Sequence, residues 1–261
     1  MKSNILYLTN ACNLKCEYCY QRHDLNSLSV SEKEVHNFIK EIIEREGLKT
    51  TSTVVLFGGE PLLLKYKFFD ILDIFESYDK SFALSTTTNG IQFLDAAFLN
   101  DFKDKISKLK NKFSLEISYD GSGHYRRVYP NGKSSESDIK KVLVAFDPNE
   151  ISIRYTIHKG NYKNCIRDII ELQKYHKIIV NFYESELENF TNVKELKDKL
   201  QRVSEYLYTK FKTPICYLNC EFCQKCDFKS FSGINYQSKL SIDGNAENFK
   251  HFSLLKDLKN S

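Results

Sequence analysis

Phe113-Ser-Leu-Glu-Ile-Ser-Tyr119 and Ile151-Ser-Ile-Arg-Tyr-Thr-Ile157 are the stretches on which the fold turns. In the first, Phe113, Leu115, Ile117 and Tyr119 alternate with Ser114, Glu116 and Ser118. In the second, Ile151, Ile153, Tyr155 and Ile157 alternate with Ser152, Arg154 and Thr156. Successive side chains of a strand point to opposite faces, so each segment carries one apolar and one polar face. Residues 4–9, 53–57, 82–87 and 177–183 also read as strands, and helical periodicity fills the intervals. Six such β-then-α units imply a parallel sheet with helices outside it. An open sheet covered on both sides calls for apolar residues on both faces. A polar inner face instead suits a barrel around a cavity for a charged ligand. The expectation is an α/β fold, a partial (β/α)6 TIM-type barrel, with reactive groups at the carboxyl ends of its strands.

The flanking signals agree. Ser31-x-x-Glu34 is a capping box, Val35, Phe38, Ile39, Ile42 and Ile43 share one helical face, and Gly47 is placed to end that helix. Val193, Leu196, Leu200, Val203, Leu207 and Phe211 recur at spacings of three and four and close the barrel segment, residues 1–212. Residues 213–261 form a small cysteine-rich region. The formal net charge of +4 over 261 residues is modest and spread along the chain, so no nucleic-acid partner is expected. The early apolar run Ile5–Leu8 is too short for a signal peptide or a membrane helix, which leaves a cytoplasmic protein without a membrane partner as the expectation. In a reducing compartment, eight cysteines point to metal ligands or catalytic groups rather than disulfides. All but Cys165 fall in two tight clusters; Cys165, beside Ile166, Ile169 and Ile170, reads as a core thiol.

The first cluster, Cys12-Asn-Leu-Lys-Cys16-Glu-Tyr-Cys19-Tyr20, follows the first strand directly. Three thiolates on one loop suit a cubane with one iron left open, whereas an ordinary electron-transfer [4Fe-4S] site has four cysteines. A zinc site completed by His23 is the alternative on spacing alone. At later strand ends stand Gly58-Gly59-Glu60-Pro61, Thr86-Thr87-Thr88-Asn89-Gly90 and Ser118-Tyr119-Asp120-Gly121. Paired glycines let backbone approach a ligand closely, and a carboxylate suits an ammonium group.

Together these residues resemble the radical S-adenosylmethionine (SAM) superfamily, over roughly residues 4–183. The cysteine loop, with Tyr18 as its aromatic, is similar to the family's C-x3-C-x-aromatic-C signature; the later segments resemble its GGEP, TNG and S-x-D-G motifs. The resemblance implies that Cys12, Cys16 and Cys19 hold a [4Fe-4S] cluster whose open iron chelates SAM. Reductive cleavage of SAM would then give methionine and a 5′-deoxyadenosyl radical, with an external donor such as a flavodoxin or ferredoxin. It further implies SAM contacts from Tyr18, Gly58, Gly59, Glu60, Pro61, Thr88 and Asn89, with Ser118 and Arg154 at the methionyl carboxylate. Ser118 and Arg154 could instead serve the barrel, Arg154 by pairing with Glu116. No catalytic acid or base stands out; Asp120 and Tyr20 are candidates by position alone.

His124-Tyr-Arg126-Arg127-Val-Tyr-Pro-Asn-Gly132-Lys133 resembles a loop of the peptide-modifying and anaerobic-sulfatase-maturing subgroup. Read from its residues, it is either a solvated basic turn or a substrate-facing one. In the C-terminal region, Cys216-x3-Cys220-x2-Cys223-x2-Cys226 is a dense ligand set, and residues 233–245 read as a hairpin turning at Asp243-Gly244. This resembles a shortened SPASM or twitch auxiliary region, departing from it in having no cysteine after the hairpin. A second [4Fe-4S] cluster is expected there, with structural zinc as the alternative.

Three functions follow from these readings. The first is hydrogen abstraction from a peptide or protein. Because Cys12 stands so near the start of the chain, peptide recognition would then fall to the barrel, the C-terminal region or a separate leader-binding partner protein. The second is the same chemistry on a small metabolite or nucleotide. The third is a non-catalytic iron–sulfur or zinc redox sensor, for which the GGEP-like segment has no evident use.

Overall fold

A computed structural model of the chain describes residues 4–19, 29–147, 149–173, 177–211 and 216–217. Six strands recur along it: β1 (Asn4–Thr9), β2 (Ser52–Gly58), β3 (Phe82–Thr88), β4 (Lys112–Ser118), β5 (Ile151–Ile157) and β6 (Lys177–Phe182). All pair in parallel, and their order across the sheet is their order in the chain. A doubly wound sheet reverses its strand order at a switch point. No reversal occurs here, which is the topology of a barrel that has stopped short of closing. A two-residue seventh strand, β7 (Cys216–Tyr217), continues the sheet by pairing with Ile179 and Val180 of β6. The sheet therefore runs past the boundary expected at residue 212 and takes in the backbone of Cys216.

The helices pack outside: α1 (Glu32–Glu46), α2 (Tyr66–Glu76), α3 (Ala96–Ser107), α4 (Glu136–Leu143), α5 (Cys165–Leu172), α6 (Glu184–Leu187) and α7 (Val193–Phe211). Helix α1 begins in the expected capping box, Ser31 accepting from Glu34 N while the Glu34 side chain accepts from Ser31 N, and it ends at Gly47. Its buried residues Val35, Phe38, Ile39 and Ile42 join the core with the outward side chains of β1 and β2. Phe68, Phe93, Phe98, Phe102 and Phe113 form a cluster of ring contacts between α2, α3 and β4. Cys165 is fully buried and donates to Tyr162 O, as befits a core thiol. No described helix is long and apolar enough to cross a membrane.

The inner face is polar, as the alternation of β4 and β5 implied. Arg154 of β5 donates through Nε and Nη2 to Glu116 of β4, and Thr87 of β3 donates to the same carboxylate oxygen at 2.8 Å. This group spans the lumen midway along the strands. Toward the amino ends the inner positions are small (Ala83, Ser85, Ser114, Ser152), and they line a cavity of about 360 Å³.

Candidate active site

Each of the first four strands delivers one expected segment to the same end of the barrel. The loop after β1 carries Cys12, Cys16 and Cys19, all partly exposed. It lies against the end of β2: Gly59 N donates to Thr9 O and Glu60 N to Ala11 O, both at 2.8 Å. A Cβ on Gly58 would stand 2.4 Å from Thr9 O, and one on Gly59 would stand 2.4 Å from Ala11 O. The close approach that this glycine pair permits within the protein is to the backbone at the end of β1 and the start of the cysteine loop.

Glu60 is buried, and its carboxylate is largely used within the protein. Oε1 accepts from Leu62 N at 3.0 Å and from the Thr88 hydroxyl at 2.6 Å, and Oε2 accepts from Asn89 N at 2.6 Å. A carboxylate has about four acceptor positions, so roughly one is left for an outside group. Burial raises the Glu60 pKa, against the hydrogen bond from Thr88. Thr88 also accepts from Gly90 N, the glycine whose positive φ turns the chain after β3. Pro61 opens a single 3-10 turn, Pro61–Leu64, whose missing N–H costs nothing there. Asn89 reaches the cysteine loop, its Nδ2 donating to Asn13 Oδ1 at 2.7 Å and lying 3.8 Å from Cys12 Sγ. Leu14 N donates to the same sulfur at 3.4 Å.

Burial pushes the Cys12 thiol up to about 12, against the lowering effect of Leu14 N. It pushes Cys16 up to about 11, opposed by the Arg127 guanidinium. Metal ligation requires thiolates, so metal uptake here would release protons. Among the described residues no three His, Cys, Asp or Glu side chains gather about one point as they would for a single ion. Zinc draws its ligands to about 2.0–2.3 Å from one centre, whereas a cubane spreads its cysteines over separate irons. Three partly exposed thiols on one loop, with N–H donors on one sulfur and a cation near another, fit the iron–sulfur cluster.

Ser118 and Arg154 are register partners on β4 and β5, both buried, and Tyr119 N donates to Arg154 O at 3.1 Å. Arg154 is committed to Glu116 through Nε and Nη2, the alternative pairing raised above. Asp120 is fully buried and saturated. It accepts from Arg127 Nε at 2.7 Å and Nη2 at 3.2 Å, from Thr156 N at 3.0 Å and from the Tyr18 hydroxyl. Burial opposes its charge most, but the Arg127 guanidinium, together with the His158 ring and the hydrogen bonds from Arg127, holds the carboxyl well below the usual range. So placed, Asp120 is built to stay ionised and not to relay protons.

The basic segment after Gly121 is divided: Tyr125 and residues 130–133 are exposed, while its charged residues nearest Gly121 turn inward. His124, Arg126 and Arg127 are all buried. Asp120 N donates to His124 Nδ1 at 3.3 Å, which puts the ring proton on Nε2 toward Ser135; burial pushes this histidine down to about 3. Arg126 joins Glu17 of the cysteine loop to Glu186 of α6 at 2.8–2.9 Å. The backbone of the cysteine loop docks on this segment, Lys15 N donating to Val128 O at 2.7 Å and Glu17 N to Arg126 O at 3.0 Å. The Arg126 and Arg127 guanidinium carbons each lie 5.4 Å from the Tyr18 ring centroid, and the His158 ring lies 4.6 Å from it. Sequence reasoning missed this assembly; two consecutive arginines shortly after a motif aspartate were its one local sign.

Tyr20, His23, Cys220, Cys223, Cys226 and the expected hairpin lie outside the described residues; of Cys216 only the backbone, in β7, is described.

A sequence profile described as the Radical SAM superfamily matches residues 6–172. Over 198 residues the chain is 24% identical to a radical SAM cyclopropyl synthase, TigE, of Paramaledivibacter caminithermalis, which covers 68% of this chain and 40% of that protein. Over 220 residues it is 28% identical to a GTP 3′,8-cyclase of Aliarcobacter butzleri, covering 79% of this chain and 63% of the cyclase. The chain thus spans less than two thirds of either relative. Among solved structures, native anSMEcpe with bound AdoMet and Cp18Cys peptide superposes with a TM-score of 0.62 at 16% identity, over 83% of this chain and 63% of that one.

Proposed function

The chain belongs to the radical SAM superfamily, and from that membership we propose that it abstracts hydrogen from a peptide or protein substrate in order to modify it. The protein is a radical SAM enzyme; a [4Fe-4S] cluster bound here would supply the electron that splits SAM into methionine and a 5′-deoxyadenosyl radical. In our reading Cys12, Cys16 and Cys19 hold that cluster, with Asn89 Nδ2 and Leu14 N directed at the Cys12 sulfur. Tyr18, Gly58, Gly59, Glu60, Pro61, Thr88 and Asn89 shape the SAM site. Glu60 would offer its one remaining acceptor position to the amino group. Ser118 and Arg154 would meet the methionyl carboxylate; Arg154 has five N–H donors in all. A flavodoxin- or ferredoxin-type donor would supply the electron, and a partner protein would present a leader peptide. We assign a second [4Fe-4S] cluster to Cys216, Cys220, Cys223 and Cys226, with zinc as the alternative.

The observation that carries the peptide reading is the unclosed barrel. Among the described residues no ladder joins β1 to β7, although Ser29 bridges Thr9 and Val30 N donates to Leu8 O at the β1 edge, so the barrel stays unclosed between its first and last strands. An extended chain fits such an opening better than an enclosed cavity. The resemblance of residues 118–133 to the peptide-modifying subgroup supports the same reading. The 28% identity to a GTP 3′,8-cyclase favours a second one, in which the substrate is a nucleotide.

The test is anaerobic reconstitution with iron and sulfide, then dithionite and SAM, with 5′-deoxyadenosine read by mass spectrometry. Wild type is expected to form it and a Cys12/Cys16/Cys19→Ala triple variant is not. No product from fully loaded wild type, with or without substrate, would overturn the enzyme reading at this site. Adding GTP in one arm and short peptides encoded beside the gene in another separates the substrate classes by which one raises turnover. Residual iron in the triple variant reports the second cluster.

A further inference from the structure

Asp120, Arg126 and Arg127 have no part in the function proposed above, yet all three are buried charges. Two turns of reasoning limit what they do. First, every described residue between Cys16 and Cys19 is fastened to them. Glu17 is bound through its backbone N–H and its carboxylate to Arg126. Tyr18 is bound through its hydroxyl to Asp120 and through its ring to both guanidinium groups. Second, the Asp120–Arg127 pair, bidentate at 2.7 and 3.2 Å, sits against the Cys16–Cys19 turn, Asp120 accepting from the Tyr18 hydroxyl and the Arg127 guanidinium carbon lying 5.4 Å from the Tyr18 ring centroid. A buried pair is costly to build, and neutral side chains could fasten a loop as well. The pair's particular property is charge at one cysteine ligand of a site that must accept an electron.

We propose that Arg127 and Asp120 are positioning residues that fix the Cys16–Cys19 turn and set, by opposed charges, the reduction potential of the cluster held there. The inference rests on reading Cys12, Cys16 and Cys19 as cluster ligands. Reduction adds negative charge, which Arg127 favours and Asp120 opposes; net local charge is one of the levers on iron–sulfur potentials. The consequence is a pair of shifts of opposite sign. Arg127→Gln leaves Asp120 uncompensated and lowers the potential. Asp120→Asn leaves Arg127 uncompensated and raises it. Each shift is on the order of tenfold in the reduction equilibrium, which is ~59 mV for a one-electron couple. The double variant, lacking both charges, returns toward wild type, and Arg127→Lys keeps the potential while loosening the turn.

The experiment is an EPR-monitored redox titration of the reconstituted variants, normalised to iron per chain, beside mapped alkylation rates of Cys12, Cys16 and Cys19 in the metal-free proteins. Opposite shifts, with alkylation of Cys16 and Cys19 roughly tenfold faster in Arg127→Gln, support the proposal. Shifts of the same sign, or loaded variants titrating with wild type, overturn its electrostatic half; unchanged alkylation overturns its positioning half. If wild type itself takes up no cluster at these cysteines, the reading beneath the proposal fails, and alkylation still tests the positioning half separately. Should Asp120→Asn not fold, the comparison of Arg127→Gln with the double variant carries the sign of the effect.

Discussion

The two ends of this barrel are lined by the same strands and by similar side chains, yet they are built in opposite ways. At the carboxyl end, most polar groups answer one another: Glu60 takes three donors, Asp120 four, and Thr88 both donates and accepts, although Asn10 Oδ1 and His158 Nε2 find no hydrogen bond. At the amino end, Ala83, Ser85, Ser114 and Ser152 border a cavity of about 360 Å³, and the buried Ser85 hydroxyl has no protein partner. Large branched side chains ordinarily fill a TIM-type interior in layers. Here a single ionic layer, Thr87–Glu116–Arg154, stands between an organised mouth and a hollow base. Polar residues on an inner face therefore carry no fixed energetic sign; the density of their partners decides it.

Five substitutions test the difference between mouth and base. The largest effect is expected from Arg154→Met, which strands Glu116 in the lumen and should destabilise the metal-free protein by about 3–5 kcal/mol in urea unfolding. Adding Glu116→Leu should restore most of that loss, because the unpaired charge goes with it. If the restored double variant binds SAM tenfold more weakly in calorimetry, Arg154 serves the ligand; normal binding would confine it to the barrel. Gly59→Ala comes next, at about 3 kcal/mol, since the new methyl meets the backbone oxygen of Ala11, which cannot move aside cheaply. Thr88→Val at the mouth should cost about 2 kcal/mol by leaving Glu60 and Gly90 N each short of a partner. Ser85→Ala at the base should be neutral or stabilising by up to about 1 kcal/mol, as it removes a hydroxyl that is buried without a bond. A destabilising Ser85→Ala would show that the base is as organised as the mouth, and the contrast would be lost.

How legible these ends were in the sequence differs in the same way. Strand 151–157 matches β5 at both boundaries, and the capping box at Ser31 forms as read, because both depend on neighbours within a few residues. The alternation in 113–119 gave the polar lumen, since strand geometry assigns faces without knowledge of partners. The ligand loop was legible through the spacing of its cysteines. What supports it was not: Arg126 meets Glu17 across 109 residues of chain, and no local pattern reports such a pairing. The glycines at 58 and 59 signalled a close approach correctly but not what approaches, because a missing Cβ is silent about its neighbour. The hollow base escaped notice for a related reason, as serine on an inner face reads the same whether or not it finds a bond.

The docking of the cysteine loop on residues 126–128 also orders events in time. During synthesis the three cysteines leave the ribosome well before the segment that clasps them. At about 5–20 residues per second, the 109 residues between Glu17 and Arg126 take roughly 5–20 s to make. Throughout that interval the thiols are on a nascent chain without their shelf, open to oxidants and to stray metal ions. A cluster held by these cysteines would find its loop clasped only after the fourth strand and its following turn have emerged.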